Sequence, residues 1–162
     1  MTTRLVVSDT SPIRVLSYLS HLHLLAEFFD EVLIPPAVAH ELETPESRAA
    51  SVPLAQIPNC RMKAPKDVVA IQKLEAELQL AEAEAIVLAQ EFNAQLLIDE
   101  RAGRFVADRL GIAHLGVIGL LVRAKQKGIL GNVIPLVLRA REELNFFVSD
   151  AVIDEVRRIV GE

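Results

Sequence analysis

Only one cysteine, Cys60, occurs among the 162 residues. That excludes an internal disulfide framework, suits a reducing compartment, and leaves Cys60 to be read as a small buried hydrophobe. No apolar run approaches the roughly 18–20 residues that a membrane-spanning helix needs, so no membrane partner is expected. The opening Met1-Thr2-Thr3-Arg4 passes straight into a strand-like run and lacks a signal-peptide pattern, which points to a cytoplasmic location. Internal repeats, low-complexity tracts and an obvious linker are missing too. The glycines form no phosphate-cradling loop, which disfavours a P-loop or Rossmann nucleotide site. The histidines His21, His23, His40 and His114 have no zinc-ligand spacing, alone or with Cys60.

What is present suits one domain spanning 1–162: 51% of residues are apolar and 24% charged, enough for a sizeable core and against disorder. The net charge of −5 by itself argues weakly against a nucleic-acid partner. Its distribution is uneven. Residues 101–141 carry eight Lys/Arg (Arg101, Arg104, Arg109, Arg123, Lys125, Lys127, Arg139, Arg141) against Asp108 alone, whereas the stretches on either side are acidic. Either the basic block holds a polyanion beside an acidic body, or these are solvated helix faces that happen to be basic.

Continuous apolar runs alternate with helical patterns. Strands are expected at Leu5–Val7, Val32–Ile34, Leu96–Ile98 and Ile112–Leu115, with a short one near Cys60–Met62 inside a proline-punctuated loop over Val52–Pro65. Helices are expected over Pro12–Ser20 (Ser11 as N-cap, Pro12 in first position), Leu22–Phe28, Ala37–Leu42, Lys66–Glu75, Leu80–Glu91, Arg101–Leu110 stopped by Gly111, Val117–Lys127 stopped by Gly128, Asn132–Leu144, and Ser149–Val160 capped by Ser149. Strands that are apolar throughout, interleaved with helices, predict an α/β fold with a parallel sheet covered on both faces.

The positions of the acids carry the chemistry. Asp9 directly follows the first strand, and Asp99 and Glu100 follow the Leu96–Ile98 strand, so all three belong to the carboxyl edge where α/β folds place reactive groups. Glu41 lies on the helix after Ile34; Glu82 and Glu84 lie near the start of the Leu80–Glu91 helix. Glu82 shares a helical face with Ala85, Ile86 and Ala89, which suits packing on a sheet; Glu84 points the other way, beside Val87 and Leu88, also apolar. Carboxylates that converge stay ionised only with a cation between them. An oxygen-only ligand set selects Mg2+ or Mn2+, and such an ion suits phosphodiester hydrolysis.

Four segments carry a family resemblance. Val7-Ser8-Asp9-Thr10-Ser11-Pro12 resembles the opening motif of PIN domains, and Ile34-Pro35-Pro36-Ala37-Val38-Ala39-His40-Glu41-Leu42 the second. Ala81–Ala89 and Leu96–Arg104 look like the third and fourth, and the set is most similar to the prokaryotic PIN-like family DUF3368. The resemblance implies a three-layer α/β/α fold, Mg2+- or Mn2+-dependent endoribonuclease activity on single-stranded or structured RNA, and homodimerisation. It also implies kinship with VapC-like toxins, each neutralised by a small antitoxin protein. Carried over by position, Asp9, Glu41, Glu82 and Asp99 match the acidic quartet of catalytic metal ligands, and Ser11 matches a hydroxyl that helps order water. The third motif offers Glu where the toxins usually have Asp, with Glu84 as a rival; Glu100 rivals Asp99.

Arg101 and Arg104 are candidates for holding a phosphate, or form a solvated face. Phe146-Phe147 is either a base-stacking platform or, as residue statistics favour, packing in a core or dimer. A PIN-like binding module without catalysis is the second functional reading. The Asp-Thr-Ser opening disfavours a haloacid-dehalogenase-type phosphatase, and the lack of a Lys close after His114-Leu115 disfavours a phosphoacceptor receiver domain.

Overall fold

The computed structural model describes residues 3–45 and 50–162; the opening Met1-Thr2 lies outside them. Five short strands, β1 (Leu5–Ser8), β2 (Glu31–Ile34), β3 (Cys60–Met62), β4 (Gln95–Leu97) and β5 (His114–Leu115), form one sheet in the order β3-β2-β1-β4-β5. Every pairing is parallel, with Val6 opposite Val32 and Ser8 opposite Leu97. The helices between them are α1 (Thr10–Tyr18), α2 (Leu24–Phe28), α3 (Pro36–Glu43), α4 (Val68–Leu74), α5 (Leu80–Phe92), α6 (Arg101–Arg109), α7 (Val117–Gln126), α8 (Ile134–Leu144) and α9 (Asp150–Val160).

Alternation along each strand sends neighbouring side chains to opposite faces. Val6, Val32 and Leu97 join one buried cluster with Leu16 of α1, Leu120 of α7 and Val156 of α9. Val7, Leu33 and Leu96 join the other, with Ile71 of α4, Ile86 of α5 and Val106 of α6. The three-layer α/β/α architecture follows: both sheet faces are dry, which is why the strands read as continuous apolar runs. No helix among the described residues is long and apolar enough to cross a membrane.

Several boundaries differ from expectation, and local chemistry explains them. Helix α1 starts at Thr10, two residues early, with Asp9 rather than Ser11 in the N-cap position. Pro12 is accommodated in the first turn, where amides have no intrahelical acceptor. The helix stops at Tyr18 because Ser20 adopts a left-handed φ of 61°. Helix α4 begins at Val68 because the Asp67 carboxylate accepts the Ala70 amide at 3.0 Å. Helix α8 begins at Ile134, where the Glu162 carboxylate accepts the amides of Val133 and Ile134 at 2.8 and 3.0 Å. Gly111 and Gly128 terminate α6 and α7 at φ values of 71° and 81°, and the Ser149 hydroxyl caps α9.

Candidate functional site

Because β1 lies between β2 and β4, the chain crosses to opposite sides of β1 in its successive connections, and the crevice between β1 and β4 is the topological switch point of the sheet. The Asp9 amide donates to the Leu97 carbonyl at 2.9 Å, extending the β1–β4 ladder by one rung before the backbone turns into α1. Asp99 lies two residues past Leu97 on the adjacent strand. The two aspartates thus leave neighbouring strands at the same edge.

A pocket of about 300 Å3 opens there, lined by the carboxylates of Asp9, Glu41, Glu82 and Glu100 and by Thr10, Ser11 and Arg14. Asp9, Thr10 and Arg14 are buried polar side chains, 3%, 7% and 6% exposed, in a protein whose buried residues are otherwise almost all apolar. Such residues need partners or a purpose. The Thr10 hydroxyl donates to Glu41 Oε2 at 2.5 Å. The Arg14 guanidinium donates to the carbonyl oxygens of Glu41 and, at 2.7 Å, Thr44, holding the last turn of α3 against α1. Glu41 is therefore anchored through its side chain and its backbone by two residues one helical turn apart.

Electrostatics mark the acids as a cluster. Burial pushes the Asp9 carboxyl from 3.8 up to about 7; the Thr10 amide works against this, while Glu82, Glu41 and Glu100 raise it further. Glu82 is raised by its own burial and by Glu100 and Glu41. Asp99 is pushed up to about 6, chiefly by burial, with the Val117 amide and Arg104 opposing and Glu100 adding. Glu100 is the common neighbour of all three.

Asp99 is not in the small pocket. It lines an adjoining groove of about 1220 Å3, which shares Ser11 and Glu100 with the pocket and also contains Arg101, Arg104 and Phe147. Asp99 Oδ1 accepts the Val117 amide at 3.1 Å at the start of α7, which leaves Oδ2 buried without a partner. Glu84 takes no part in lining the pocket: its Oε1 accepts the Ala37 amide at 2.9 Å, in the first turn of α3. Glu82 Oε2 is buried without a partner.

Folding pairs half of the basic block with carboxylates. Arg109 pairs with Glu77, Lys125 with Glu162, Arg139 with Glu143 and Arg141 with Asp150. Phe146 is partly buried and packs against the core cluster of Val6 and Leu97, but Phe147 is 84% exposed, so of the expected packing in a core or dimer the core half does not hold for Phe147.

Thr10 and Arg14 were not singled out in the sequence, although their i,i+4 spacing on a helix following Asp9 puts them on one face. Two glycines also shape the site. A Cβ on Gly103 would stand 2.4 Å from Ile98 Cδ1 and 3.0 Å from Glu82 Oε2; one on Gly116 would stand 2.6 Å from Asp99 Oδ1. Glycine inside a helical pattern was the available signal for Gly103.

The donor set is all oxygen and suits a hard divalent ion, and the two orphaned carboxylate oxygens, Glu82 Oε2 and Asp99 Oδ2, are groups that such an ion would satisfy. Among the described residues no three acids stand close enough, as placed, to chelate one ion.

The sequence model of one family, DUF3368, described as a PIN domain, matches residues 5–162. Among solved structures the chain is similar to a PilT N-terminus domain protein from the hyperthermophilic archaeon Sulfolobus solfataricus P2, at 19% identity and a TM-score of 0.44, over 74% of this chain and 92% of that one. No curated protein matches.

Proposed function

This chain belongs to the DUF3368 family of PIN domains, which are typically nucleases that use divalent metal ions, and on that premise we propose that it is an endoribonuclease dependent on Mg2+ or Mn2+. The observation that carries the reading is Asp9. It is a 3% exposed carboxyl at the sheet's switch point, held protonated to about pH 7 by burial and by three surrounding glutamates. A cluster that can ionise only at a cost in the empty protein ionises readily around a cation.

In this proposal Asp9, Glu82 and Asp99 are metal ligands, and Glu41 is a ligand or orients the attacking water. The ion, when bound, supplies charge that activates water and offsets the charge developing on the phosphate. The chain's own contributions are positional. Thr10 fixes the Glu41 carboxylate, Arg14 fixes the backbone beneath it, and Gly116 lets Asp99 approach the start of α7. Ser11 and Glu100 line both the acid pocket and the adjoining groove, beside the path a substrate phosphate would take. A small antitoxin-like protein and a second copy of the chain are the partners proposed with this activity.

The test is cleavage of labelled structured and unstructured RNAs by purified protein with Mg2+ or Mn2+, with Asp9→Asn alongside. Cleavage lost by at least about a hundredfold in the variant supports the proposal. Equal cleavage by both proteins refutes it. Tight Mn2+ binding without cleavage of any RNA would favour the second reading, a binding module.

A further inference from the structure

Glycine in the body of a helix destabilises it relative to alanine, because the unfolded chain has more backbone freedom to lose. Gly103 nevertheless stands in the first turn of α6, buried and in ordinary helical backbone, so no turn or positive φ requires it. What the glycine supplies is space. A Cβ there would meet Ile98 Cδ1 at 2.4 Å and Glu82 Oε2 at 3.0 Å. The first contact belongs to the core, since Ile98 is fully buried in the cluster that includes Ile86 and Val106. The second belongs to the acid pocket, which Glu82 lines.

Glu82 differs from its neighbours in how it is held. The Thr10 hydroxyl fixes Glu41, and the Val117 amide fixes Asp99. The Gln79 amide favours the charged form of Glu82, but Oε2 is buried without a hydrogen-bond partner among the described residues. The place of Oε2 is then set by the surfaces against it, and the bare backbone of Gly103 is one of them. A Cβ at 3.0 Å would require the carboxylate to give by a few tenths of an ångström. A metal–oxygen bond tolerates a change of only about 0.2 Å. Such a displacement is large for a ligand and small for a fold.

We propose that Gly103 is a positioning residue: its missing side chain allows the first turn of α6 to close on α5 while the Glu82 carboxylate keeps the place from which it ligates a divalent ion. The proposal rests on the metal-dependent reading for the ion, but not for the contact between Gly103 and Glu82.

Two substitutions separate the core contact from the pocket contact. Gly103→Ala meets both Ile98 and Glu82. Gly103→Ala/Ile98→Val moves one methyl group from residue 98 to residue 103: valine lacks Cδ1, so the core clash goes, the volume is kept and the Glu82 contact remains. Thermal melts in EDTA and calorimetric Mn2+ titrations are run on full-length wild type, Ile98→Val, Gly103→Ala and the double variant. Gly103→Ala should melt below wild type. The double variant should melt at or above wild type, because alanine favours the helix, yet bind Mn2+ about tenfold more weakly than Ile98→Val does. In a Glu82→Gln background the same pair should weaken Mn2+ binding no further. Recovery of Mn2+ affinity along with stability in the double variant would make Gly103 a packing residue and overturn the proposal. A further loss of affinity in the Glu82→Gln background would overturn it too, because the effect would not pass through Glu82.

The contact is also read without metal. In EDTA, Glu82→Ala should raise the melting temperature of the double variant by more than that of wild type, since it removes the crowded carboxylate. If that difference is present but wild type binds no Mn2+, the metal reading fails and the positioning of Glu82 by Gly103 stands. If wild type binds Mn2+ and the difference is absent, the metal reading stands and Gly103 does not position Glu82.

Discussion

The Glu84 carboxylate accepts the Ala37 amide hydrogen at 2.9 Å, closing the first turn of α3 from a helix 47 residues further along the chain. Pro35, in the N-cap position, has no side-chain acceptor to offer, so α3 borrows one from α5. Glu82, half a turn earlier on α5, has no such duty and enters the acid pocket. Two neighbouring glutamates therefore perform separable tasks.

That separation can be measured. Glu84→Ala is expected to cost about 1 kcal/mol of stability, the usual loss for a helix cap, and to leave Mn2+ affinity within about twofold. Glu82→Gln is expected to keep or raise thermal stability and to weaken Mn2+ binding by tenfold or more, as for loss of a ligand or its support. Thermal melts and calorimetric titration on the two variants check both halves, and an exchange of the two patterns would exchange the two roles.

The second prediction concerns pH. The folded-state pKa values of Asp9 and Asp99 are raised from 3.8 to about 7 and about 6, mainly by burial. The folded protein then holds protons that the unfolded chain releases, so stability from these groups is fully present below about pH 4 and is lost as pH rises towards 7. In EDTA, wild type should melt at progressively lower temperature across that window. Asp9→Asn should escape Asp9's share of the loss and exceed wild type at pH 8 by up to about 4 kcal/mol, the gap closing near pH 4. Adding Mn2+ at pH 8 should stabilise wild type and not the variant. A melting temperature for metal-free wild type that climbs from pH 4 to 8, in step with Asp9→Asn, would contradict the picture.

Much of the fold was legible because both sheet faces are buried: strands such as Val32-Leu33-Ile34 must be apolar on each side, and interleaved helices leave a parallel sheet as the consistent solution. The acid-bearing edge followed from strand direction alone. Periodicity could not choose between Glu82 and Glu84. Helix α5 is buried nearly all round, with Ala85 and Ile86 fully buried on one side and Val87 and Leu88 on the other, so it has no polar face to read. The structure separates their surroundings through Ala37, whose amide Glu84 accepts while Glu82 lines the pocket, a tertiary difference invisible to local pattern. Thr10 and Arg14 were missed for the same kind of reason: their partner, Glu41, is 27 to 31 residues away. The basic block misled because charge counted along the chain takes no account of Glu77, Asp150 and Glu162, which fold back to neutralise part of it.

Gly116 provides the third test. Its backbone, at φ −99°, is open to any L-residue, so alanine brings no conformational penalty there. The added methyl would, however, stand 2.6 Å from Asp99 Oδ1, the oxygen that accepts the Val117 amide. Gly116→Ala is expected to push the Asp99 carboxylate off the start of α7, lowering Mn2+ affinity about tenfold while far-UV circular dichroism stays that of wild type. Unchanged affinity would mean that Asp99 is not held where the metal needs it.

The last test separates holding a carboxylate from supplying one. Thr10 cannot ligate metal in place of the acids, yet its hydroxyl bonds Glu41 Oε2, and Glu41 is otherwise exposed and free to turn into water. Thr10→Val keeps the shape and β-branching of a 7% exposed side chain and removes only the donor. The freed Glu41 oxygen regains water, so the stability loss should not exceed about 1 kcal/mol. Turnover should fall by about tenfold as Glu41 loses its orientation, with KM for RNA little changed because no substrate contact is removed. Thr10→Ser retains the donor and should recover most of the lost turnover. If serine fails where valine fails, the methyl group's packing rather than the hydroxyl is what the site requires, and Thr10 does not position Glu41.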